Sequence, residues 1–571
     1  MANELLSKKW GSLMLVCVTI CLWGCSSNHV ASSDDAQFED LVAEGALRQF
    51  AMAWISDIHL QPLYSTLPCP EERCGKPSRE PTNSSEPSRR QCLEMETAPE
   101  LGRAGCGSSP RLLDETLNFL EGLVAESHAA AAADRPPTSS TVSLAAKAAF
   151  THYPLPPITT ILLTGDYALS GRDVDLNYLE RTIKEFTKGV FEHFPQQSTA
   201  LLQGQGQINA AGGIQLLLVV GNHDIPLEAL LPPKRTEGTE APPTIVLLTR
   251  GFSGILRYEA GGEDVGALLH NVGEDEAEEA DPAGQFEWLE GELRSARARR
   301  QQVVICGHIK PSLSVRLNEL SYFGDSWESQ YTARELISAY SDVVVAQFYG
   351  HSHEGTMVAL LPPGTQPWKA AATAGPRCNP LHPNLPTALF TIPSVSPQNG
   401  NNPTMRVLVF DEMQDNHQQP YEYGERRDMG ATLGAYFLAD YAQYHLPLYG
   451  FVGHSGFGRT NPAFEFESSF HDTFRPFLRC AKPRQPGLED AANGRKNSSA
   501  SGGQRCIDGS TALQVAEAVG RSPFAYAAYN NHRYAGGKDV ASAAVSCSSL
   551  ALTKEDFLEC ISQIKMAKYA A

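Results

Sequence analysis

Residues 51–60 read AMAWISDIHL, and this stretch decides the fold class because it joins an apolar run directly to polar side chains. The run AMAWIS is short enough to be one strand, and an unbroken apolar run is typical of a strand that is covered on both faces. Asp57 and His59 follow it, and both are residue types that bind metal ions. The stretch therefore predicts a buried strand that presents a carboxylate and an imidazole at its carboxyl end.

The same arrangement recurs up to residue 410. Short apolar runs alternate with stretches of helical periodicity, which is the sequence pattern of a layered α/β domain. The predicted strands are the runs AMAWIS, ITTILLT, IQLLLVV, QVVICG, VVVAQFYG, TALFTI and MRVLVF. The predicted helices lie at 110–125, 174–191, 284–299 and 333–340. Surface inserts are predicted at 66–105, 129–157 and 227–281.

Five of the predicted strands end on polar residues that can bind metal ions. Groups at the carboxyl ends of strands in an α/β sheet converge on one edge, where ligands bind. Imidazole, carboxylate and amide groups together suit borderline divalent ions such as zinc, manganese or iron. Each motif is weak alone, but the five in this order predict a metal centre. The motifs are SDIH with Asp57 and His59, GD with Asp166, GNHD with Asn222, His223 and Asp224, GH with His308, and GHSH with His351 and His353.

These five motifs resemble those of the calcineurin-like metallophosphoesterase superfamily over roughly residues 54–411. The resemblance implies an α/β fold in which a layered β-sandwich is flanked by helices. It also implies two divalent metal ions, which we expect to be zinc, with manganese or iron as alternatives. The implied ligands are Asp57, His59 and His353 for one ion, Asn222, His308 and His351 for the other, and Asp166 as the bridge between them.

The resemblance further implies a mechanism for the hydrolysis of phosphoric esters. A hydroxide that bridges the two ions would attack phosphorus directly, because two such ions about 3.5–4 Å apart stabilise both the attacking and the leaving oxygen. His223 matches the catalytic histidine of the superfamily and would donate a proton to the leaving oxygen. Asp224 would orient the His223 ring.

Three further motifs resemble the acid sphingomyelinase-like phosphodiesterases: GCGSSP at 105–110, DPAGQFEWLE at 281–290 and IPSVSPQNGNNPTMRV at 392–407. This branch implies a nucleotide or lipid phosphodiester as the substrate. Endopolyphosphatases share much of the pattern, so cleavage of phosphoanhydride bonds in polyphosphate is the alternative. Residues 26–49 are too few for the saposin domain of acid sphingomyelinase itself, which makes sphingomyelin a less favoured substrate.

A metal-free pseudoenzyme that serves as a binding module is the alternative from another functional class. Such a protein should have lost at least one ligand, whereas all seven implied ligands are present.

Two basic residues stand where the sequence departs from the acid sphingomyelinase-like pattern: Arg172 in GDYALSGRD at 165–173, and Lys310 in GHIKP at 307–311. Each could contact an anionic substrate or be an ordinary solvated charge.

The amino terminus has the layout of a signal peptide. Lys8 and Lys9 precede an apolar stretch that is shorter than the about 20 residues of a membrane-spanning helix, so cleavage is favoured over a retained anchor. The sequence LWGC at 22–25 also resembles a lipobox, which leaves lipidation as an alternative.

We divide the chain into a signal peptide at 1–25, a linker at 26–48, a catalytic domain with inserts at 49–412 and a smaller, mainly helical C-terminal subdomain at 413–571.

Charge restricts the partners of this 571-residue chain. Its formal net charge of −19 opposes binding to nucleic acid or to an anionic membrane surface. We therefore expect a small-molecule or lipid phosphoester as the partner, or polyphosphate as the alternative, with no nucleic acid and no transmembrane span after signal cleavage.

Cysteines and glycosylation sequons indicate the secretory pathway. Cysteines cluster at 69–106 and again at 480–560, which suits disulfides in an oxidising compartment, whereas Cys306 lies inside an apolar run and is expected to be a buried thiol. Asn83 and Asn497 begin N-x-Ser sequons in polar stretches, where a glycan would be tolerated. These features predict a secreted protein or one of a lysosome- or vacuole-like compartment.

Overall fold

The fold is taken from a computed structural model of the chain. It describes residues 49–62, 64, 100–102, 106–131, 144–169, 176–195, 214–219, 221, 223–224, 246–249, 254–255, 285–299, 301–310, 312, 314–316, 319–321, 333–362, 365, 385–412, 436–448, 463–478, 506–535, 542–549 and 557–562.

Two six-stranded sheets form the centre of the protein. In the first sheet β1 pairs in parallel with β2, and β2 with β3, while β12, β13 and β14 continue the sheet on the other side in antiparallel pairs. Its spatial order is β14 (Glu465–Ser469), β13 (Tyr436–His445), β12 (Thr404–Glu412), β1 (Gln49–Ile55), β2 (Ile158–Leu163) and β3 (Gln215–Leu218).

The second sheet has the parallel strands β6, β9 and β11 at its centre and antiparallel strands outside them. Its spatial order is β10 (Met357–Leu360), β11 (Thr387–Thr391), β9 (Val344–Tyr349), β6 (Val303–Cys306), β4 (Val246–Thr249) and β5 (Gly254–Ile255). A separate hairpin consists of β7 (Ser314–Arg316) and β8 (Glu319–Ser321).

The two sheets pack face to face because β1 is apolar on both of its sides. Met52 and Trp54 point into a core cluster that they share with Phe348 of β9 and Phe390 of β11. The rings of Trp54 and Phe348 lie 5.1 Å apart edge to face, and Trp54 Nε1 donates to Thr164 Oγ1 at 3.0 Å. The predicted α/β β-sandwich is confirmed.

Helices cover the outer faces of both sheets. The outer face of the first sheet, including Ala51, Ala53 and Ile55, shares a core cluster with the helices that follow β1 and β2. These are α1 (Pro110–Ala131), α2 (Leu144–His152) and α3 (Leu176–His193). The outer face of the second sheet shares a core cluster with α4 (Gln285–Ala298) and α5 (Ala333–Ala339).

The C-terminal region is helical and packs against the edge of the second sheet. Its elements are α6 (Phe470–Phe474), α7 (Gly509–Arg521), α8 (Pro523–Tyr534) and α9 (Ser542–Ser548). Asp508 and Ser522 cap α7 and α8 by accepting from backbone N–H groups of the first turn. Tyr529 of α8 accepts a hydrogen bond from Met357 N at the start of β10, and Cys547 and Cys560 form a disulfide.

The sequence-based prediction of these elements is correct for the seven strands and the four helices, and wrong in three places. Residues 436–445 and 465–469 form the strands β13 and β14 of the first sheet rather than part of a helical region, because aromatic side chains suit paired strands. Residues 227–281 supply β4 and β5, and residues 129–157 contain α2, in addition to surface loops. The domain limits stay predictions. None of the described helices is long and apolar enough to cross a membrane.

Trp54 tests the packing of the two sheets. We expect Trp54→Ala to lower the free energy of unfolding by about 3–5 kcal/mol, because it leaves a cavity between the sheets. Urea unfolding followed by circular dichroism measures this change. Leu144→Ala is the control, since Leu144 is 85% exposed, and a similar loss in both variants would contradict the assigned role of Trp54.

Candidate metal centre

The predicted ligands lie directly after strands of both sheets. Asp57 and His59 follow β1, and Asp166 follows β2, all in the first sheet. His308 follows β6 in the second sheet. His351 and His353, which follow β9, also belong to the second sheet. The carboxyl ends of these parallel strands therefore meet at one edge of the sandwich.

The backbone is left-handed at five of the predicted ligands. Such a conformation is uncommon outside glycine, although Asp, Asn and His adopt it more often than most residues. Strained positions of this kind persist where the surrounding structure fixes them, and they cluster at functional sites. The φ angles are 52° at Asp57, 45° at His59, 55° at Asp166, 64° at His351 and 56° at His353.

Two glycines of the motifs are required by close packing. A Cβ atom on Gly221 would overlap Asp166, both its backbone nitrogen and its carboxylate. A Cβ atom on Gly350 would overlap Ser56 Oγ and come within 2.7 Å of Asp57 Oδ2. The first glycine in GNHD and in GHSH thus lets the next loop approach a buried carboxylate.

Asp57, His59 and His353 form the first triad of donor atoms. Nε2 of His59 lies 2.8 Å from Nε2 of His353, and the latter lies 3.5 Å from Asp57 Oδ1. One ligand atom from each residue lies within 4.8 Å of the others, and all three residues are buried. This geometry suits one divalent ion with two imidazole ligands and one carboxylate ligand.

Asp166, His308 and His351 form the second triad, in which the ligand atoms again lie within 4.8 Å of one another. His308 Nε2 is 3.1 Å from Asp166 Oδ2, and His351 Nδ1 is 3.3 Å from His308 Nε2. The same Asp166 Oδ2 is 3.6 Å from His59 Nε2 in the first triad. Asp166 therefore lies where a carboxylate could bridge two ions, and the residues present fit a binuclear metal site.

Backbone carbonyls orient two of the imidazoles. Nδ1 of His59 faces Ala168 O at 3.0 Å, and Nδ1 of His308 faces Thr164 O at 2.6 Å. Because a carbonyl only accepts, each Nδ1 carries the proton and each Nε2 offers its lone pair to the centre. Asp57 is held in place by the backbone N–H of His351, which donates to its two oxygens at 2.8 and 2.9 Å.

Burial and the central carboxylates shift the pKa values in opposite directions. Burial lowers the pKa of His59 to about 4, so its ring is neutral and able to bind a metal ion even in acid. Burial alone would also lower the pKa of His308, but Asp166 beside it raises that pKa to about 10. His308 therefore carries a proton when no ion is bound, and a metal ion must displace that proton.

His223 and Asp224 have different surroundings. The side chain of His223 is 32% exposed, and its Nε2 is 3.9 Å from Asp166 Oδ2. Asp224 is partly exposed, and its carboxylate accepts from the backbone N–H groups of Tyr167, Ala168 and Gly221 at 2.7–2.9 Å. Asp224 thus ties together the loops after β2 and β3. Its role in orienting the His223 ring stays a prediction.

Of the remaining predicted residues, only Lys310 is described. Lys310 is 2% exposed, and its Nζ lies 3.4 Å from Thr356 Oγ1. Its contact with a substrate stays a prediction. Asn222, Arg172, Asn83 and Asn497 lie outside the described residues, so their roles also stay predictions.

Sequence reasoning missed a buried ion pair beside the centre. Glu354, directly after His353, pairs with Arg533 of α8, and Tyr534 Oη donates to Glu354 Oε1 at 3.1 Å. No sequence signal joins these residues, because 179 positions separate Glu354 from Arg533.

Comparison with known proteins agrees with the geometry. Residues 141–355 match the model of the calcineurin-like phosphoesterase family. The chain is 26% identical over 156 residues to the acid sphingomyelinase-like phosphodiesterase 3b of Mus musculus, covering 25% of this chain and 29% of that protein. It is 26% identical over 137 residues to the cyclic GMP-AMP phosphodiesterase of Homo sapiens, covering 23% of this chain and 26% of the relative.

A third relative is the sphingomyelinase phosphodiesterase D of Dictyostelium discoideum, which is 30% identical over 139 residues, or 24% of this chain and 27% of that protein. The matched segments thus span less than a third of the length of each relative. The family match and these relatives bear out the predicted resemblance to the calcineurin-like phosphoesterases and to the acid sphingomyelinase-like phosphodiesterases.

Asp166 tests whether one carboxylate serves both triads. We expect Asp166→Asn to weaken binding of two divalent ions together, because it removes a negative charge that both ions would share. Metal analysis of the purified protein by mass spectrometry measures the number bound per chain. Asp114→Asn is the control, since Asp114 is an exposed carboxylate of α1. Loss of a single ion from Asp166→Asn would contradict the bridge.

Proposed function

We propose that this chain is a metal-dependent phosphodiesterase that hydrolyses nucleotide or lipid phosphodiesters. The observation that carries the proposal is the pair of donor triads at the carboxyl ends of strands from both sheets, with Asp166 Oδ2 close to imidazoles of each triad. Such an arrangement matches the requirement for two adjacent divalent ions, for which zinc is our first choice and manganese or iron the alternatives.

The chain's own residues would divide the work between binding and proton transfer. Two divalent ions, when bound, would supply a nucleophile at neutral pH and stabilise charge on the phosphoryl oxygens. Asp57, His59 and His353 would hold one ion, and His308 and His351, together with Asn222, would hold the other. Asp166 would bridge them, and its position between the triads supports this role.

His223 is proposed as the residue that meets the leaving oxygen. Its side chain is 32% exposed, whereas those of His59, His308 and His353 are at most 7% exposed. Its ring lies edge to face with that of His59, with centroids 5.4 Å apart. Its backbone N–H donates to Asp166 Oδ1 at 2.9 Å, which fixes the loop that carries it. An accessible imidazole beside the donor triads suits proton donation to a substrate.

The relatives support a phosphodiester substrate of the nucleotide or lipid class. Their printed names include a cyclic GMP-AMP phosphodiesterase and a sphingomyelinase phosphodiesterase. We infer that the scissile bond in this chain's substrate is likewise a phosphodiester. A hydrolysis panel on the metal-loaded protein tests the inference.

In the panel, we expect faster hydrolysis of a cyclic dinucleotide or a choline phosphodiester than of a nucleoside triphosphate or long-chain polyphosphate. Release of phosphate or alcohol is measured at equal protein and metal concentrations, with Asp166→Asn as the inactive control. Preference for polyphosphate would assign the chain to the endopolyphosphatases instead. Two bound ions without any hydrolysis would indicate a binding module.

We also propose that the protein works in a secretory compartment, either outside the cell or in a lysosome- or vacuole-like lumen. The disulfide between Cys547 and Cys560, and the participation of Cys106 and Cys506 in disulfides, support an oxidising environment. Burial lowers the pKa of His59 to about 4 and that of His351 well below its usual value, which would keep both ligands neutral in an acidic lumen. Signal cleavage and glycosylation at Asn83 and Asn497 belong to the same proposal.

Replacement of His223 separates proton donation from metal binding. We expect His223→Gln to keep both ions but lose about 10²–10⁴-fold in turnover, with a smaller loss on a nitrophenyl ester than on an alkyl ester, because nitrophenolate leaves without a proton. Metal analysis and kinetics on both esters measure this, and His152→Gln, an exposed site on α2, is the control. Equal losses on the two esters would reject proton donation, and loss of metal would reject the assignment.

A further inference from the structure

The ion pair of Glu354 with Arg533 joins the end of α8 to the segment directly after His353. The Arg533 side chain is 1% exposed and that of Glu354 is 6% exposed. Arg533 donates to Glu354 Oε2 from both Nε, at 3.1 Å, and Nη2. Tyr534 Oη donates to the other carboxylate oxygen, so both oxygens of Glu354 are held by the end of α8.

The backbone around Glu354 is fixed as well. Gly355 N donates to Arg533 O at 2.8 Å, and the carbonyl of Glu354 accepts from Thr391 Oγ1 at the end of β11. The segment after His353 is thus held between α8 on one side and the second sheet on the other. This anchoring lies one residue from a proposed metal ligand.

The end of α8 also contacts a second loop of the centre. Ala535, which closes α8 with a left-handed φ of 46°, accepts a hydrogen bond from Asn402 Nδ2 at 2.7 Å. Asn402 belongs to the loop in which Ser396 N donates to Asp57 O at 3.1 Å. The same helix end therefore supports the loops that flank two members of the first triad, His353 and Asp57.

We propose that Arg533 is a positioning residue which, through Glu354, holds His353 in the conformation that binds the first metal ion. The inference rests on the proposed metal function and adds that the C-terminal helices complete the centre. His353 has a strained φ of 56°, and a strained residue keeps its conformation only while its neighbours fix it. Removing Arg533 would take away the cation that donates hydrogen bonds to the buried Glu354 carboxylate, which favours movement of the segment toward water.

Metal titration of the full-length protein tests the proposal. Calorimetric titration of the metal-free protein with Zn²⁺, and separately with Mn²⁺, gives the number of sites and the affinity of each. We expect Arg533→Met to weaken one of the two sites by about 10- to 100-fold and to leave the other unchanged, since residues that support a ligand have effects of this size. Arg533→Lys should restore part of the affinity, because it returns a cation to Glu354.

Two further variants separate positioning from general stability. Tyr153→Phe removes a hydrogen bond of 2.8 Å to Asp440 of β13, and neither residue contributes to the Glu354 pair, so it should lower the melting temperature but retain two sites. Tyr534→Phe removes only one of the hydrogen bonds to Glu354 and should weaken the same site as Arg533→Met, by a smaller factor. This milder variant gives the answer if Arg533→Met does not fold.

The outcomes distinguish this inference from the proposed function. Fewer than two sites in the unmodified protein would reject the binuclear function itself, whatever Arg533 does. Two sites of unchanged affinity in folded Arg533→Met, or in Tyr534→Phe where the former does not fold, would overturn the positioning role while leaving the function intact. Equal weakening by Tyr153→Phe would show that Arg533 acts only through stability.

Discussion

The face-to-face packing of the two sheets is the constraint on which the rest of the structure depends. Each donor triad draws on both sheets: Asp57 and His59 come from the first and His353 from the second, while Asp166 faces His308 and His351 across the same boundary. The contact of Trp54 with Phe348 lies in the core below this edge. The backbone N–H of His351 then donates to Asp57 directly across the boundary. The positions of the donor atoms therefore depend on the same sheet packing that forms the core.

Two carboxylates at this edge have pKa values that are shifted in opposite directions. Burial raises the pKa of Asp57 to about 7, whereas His308 and His223 outweigh the burial of Asp166 and hold its pKa well below the usual value. A chain with a net charge of −19 repels anions at long range. Attraction for a phosphoester would then have to come from cations concentrated at the centre.

The sequence predicted those features of the structure that are determined by residues close together in the chain. Apolar runs such as AMAWIS are followed within a few positions by polar residues. Both the strand and the predicted ligand could therefore be found from the sequence. The strand β13 was missed because polar residues interrupt its apolar residues, so it contains no unbroken apolar run. The pairing of Arg533 with Glu354 was missed for a different reason, since it joins residues 179 positions apart and no local pattern reports tertiary proximity. The backbone partners of Asp224 were not predicted, because they are set by how two loops meet.

The left-handed backbone at five ligand positions has a consequence for protein engineering. Glycine adopts this conformation without the steric cost of about 1–2 kcal/mol that a residue with a Cβ atom bears. Selection for thermal tolerance alone would thus reward glycine at Asp57, His59, Asp166, His351 or His353. A library screened only for heat resistance would tend to yield thermostable proteins that have lost proposed metal ligands. Any campaign to stabilise this scaffold should keep those five codons fixed, because the strained positions are the ones proposed to hold its metal ions.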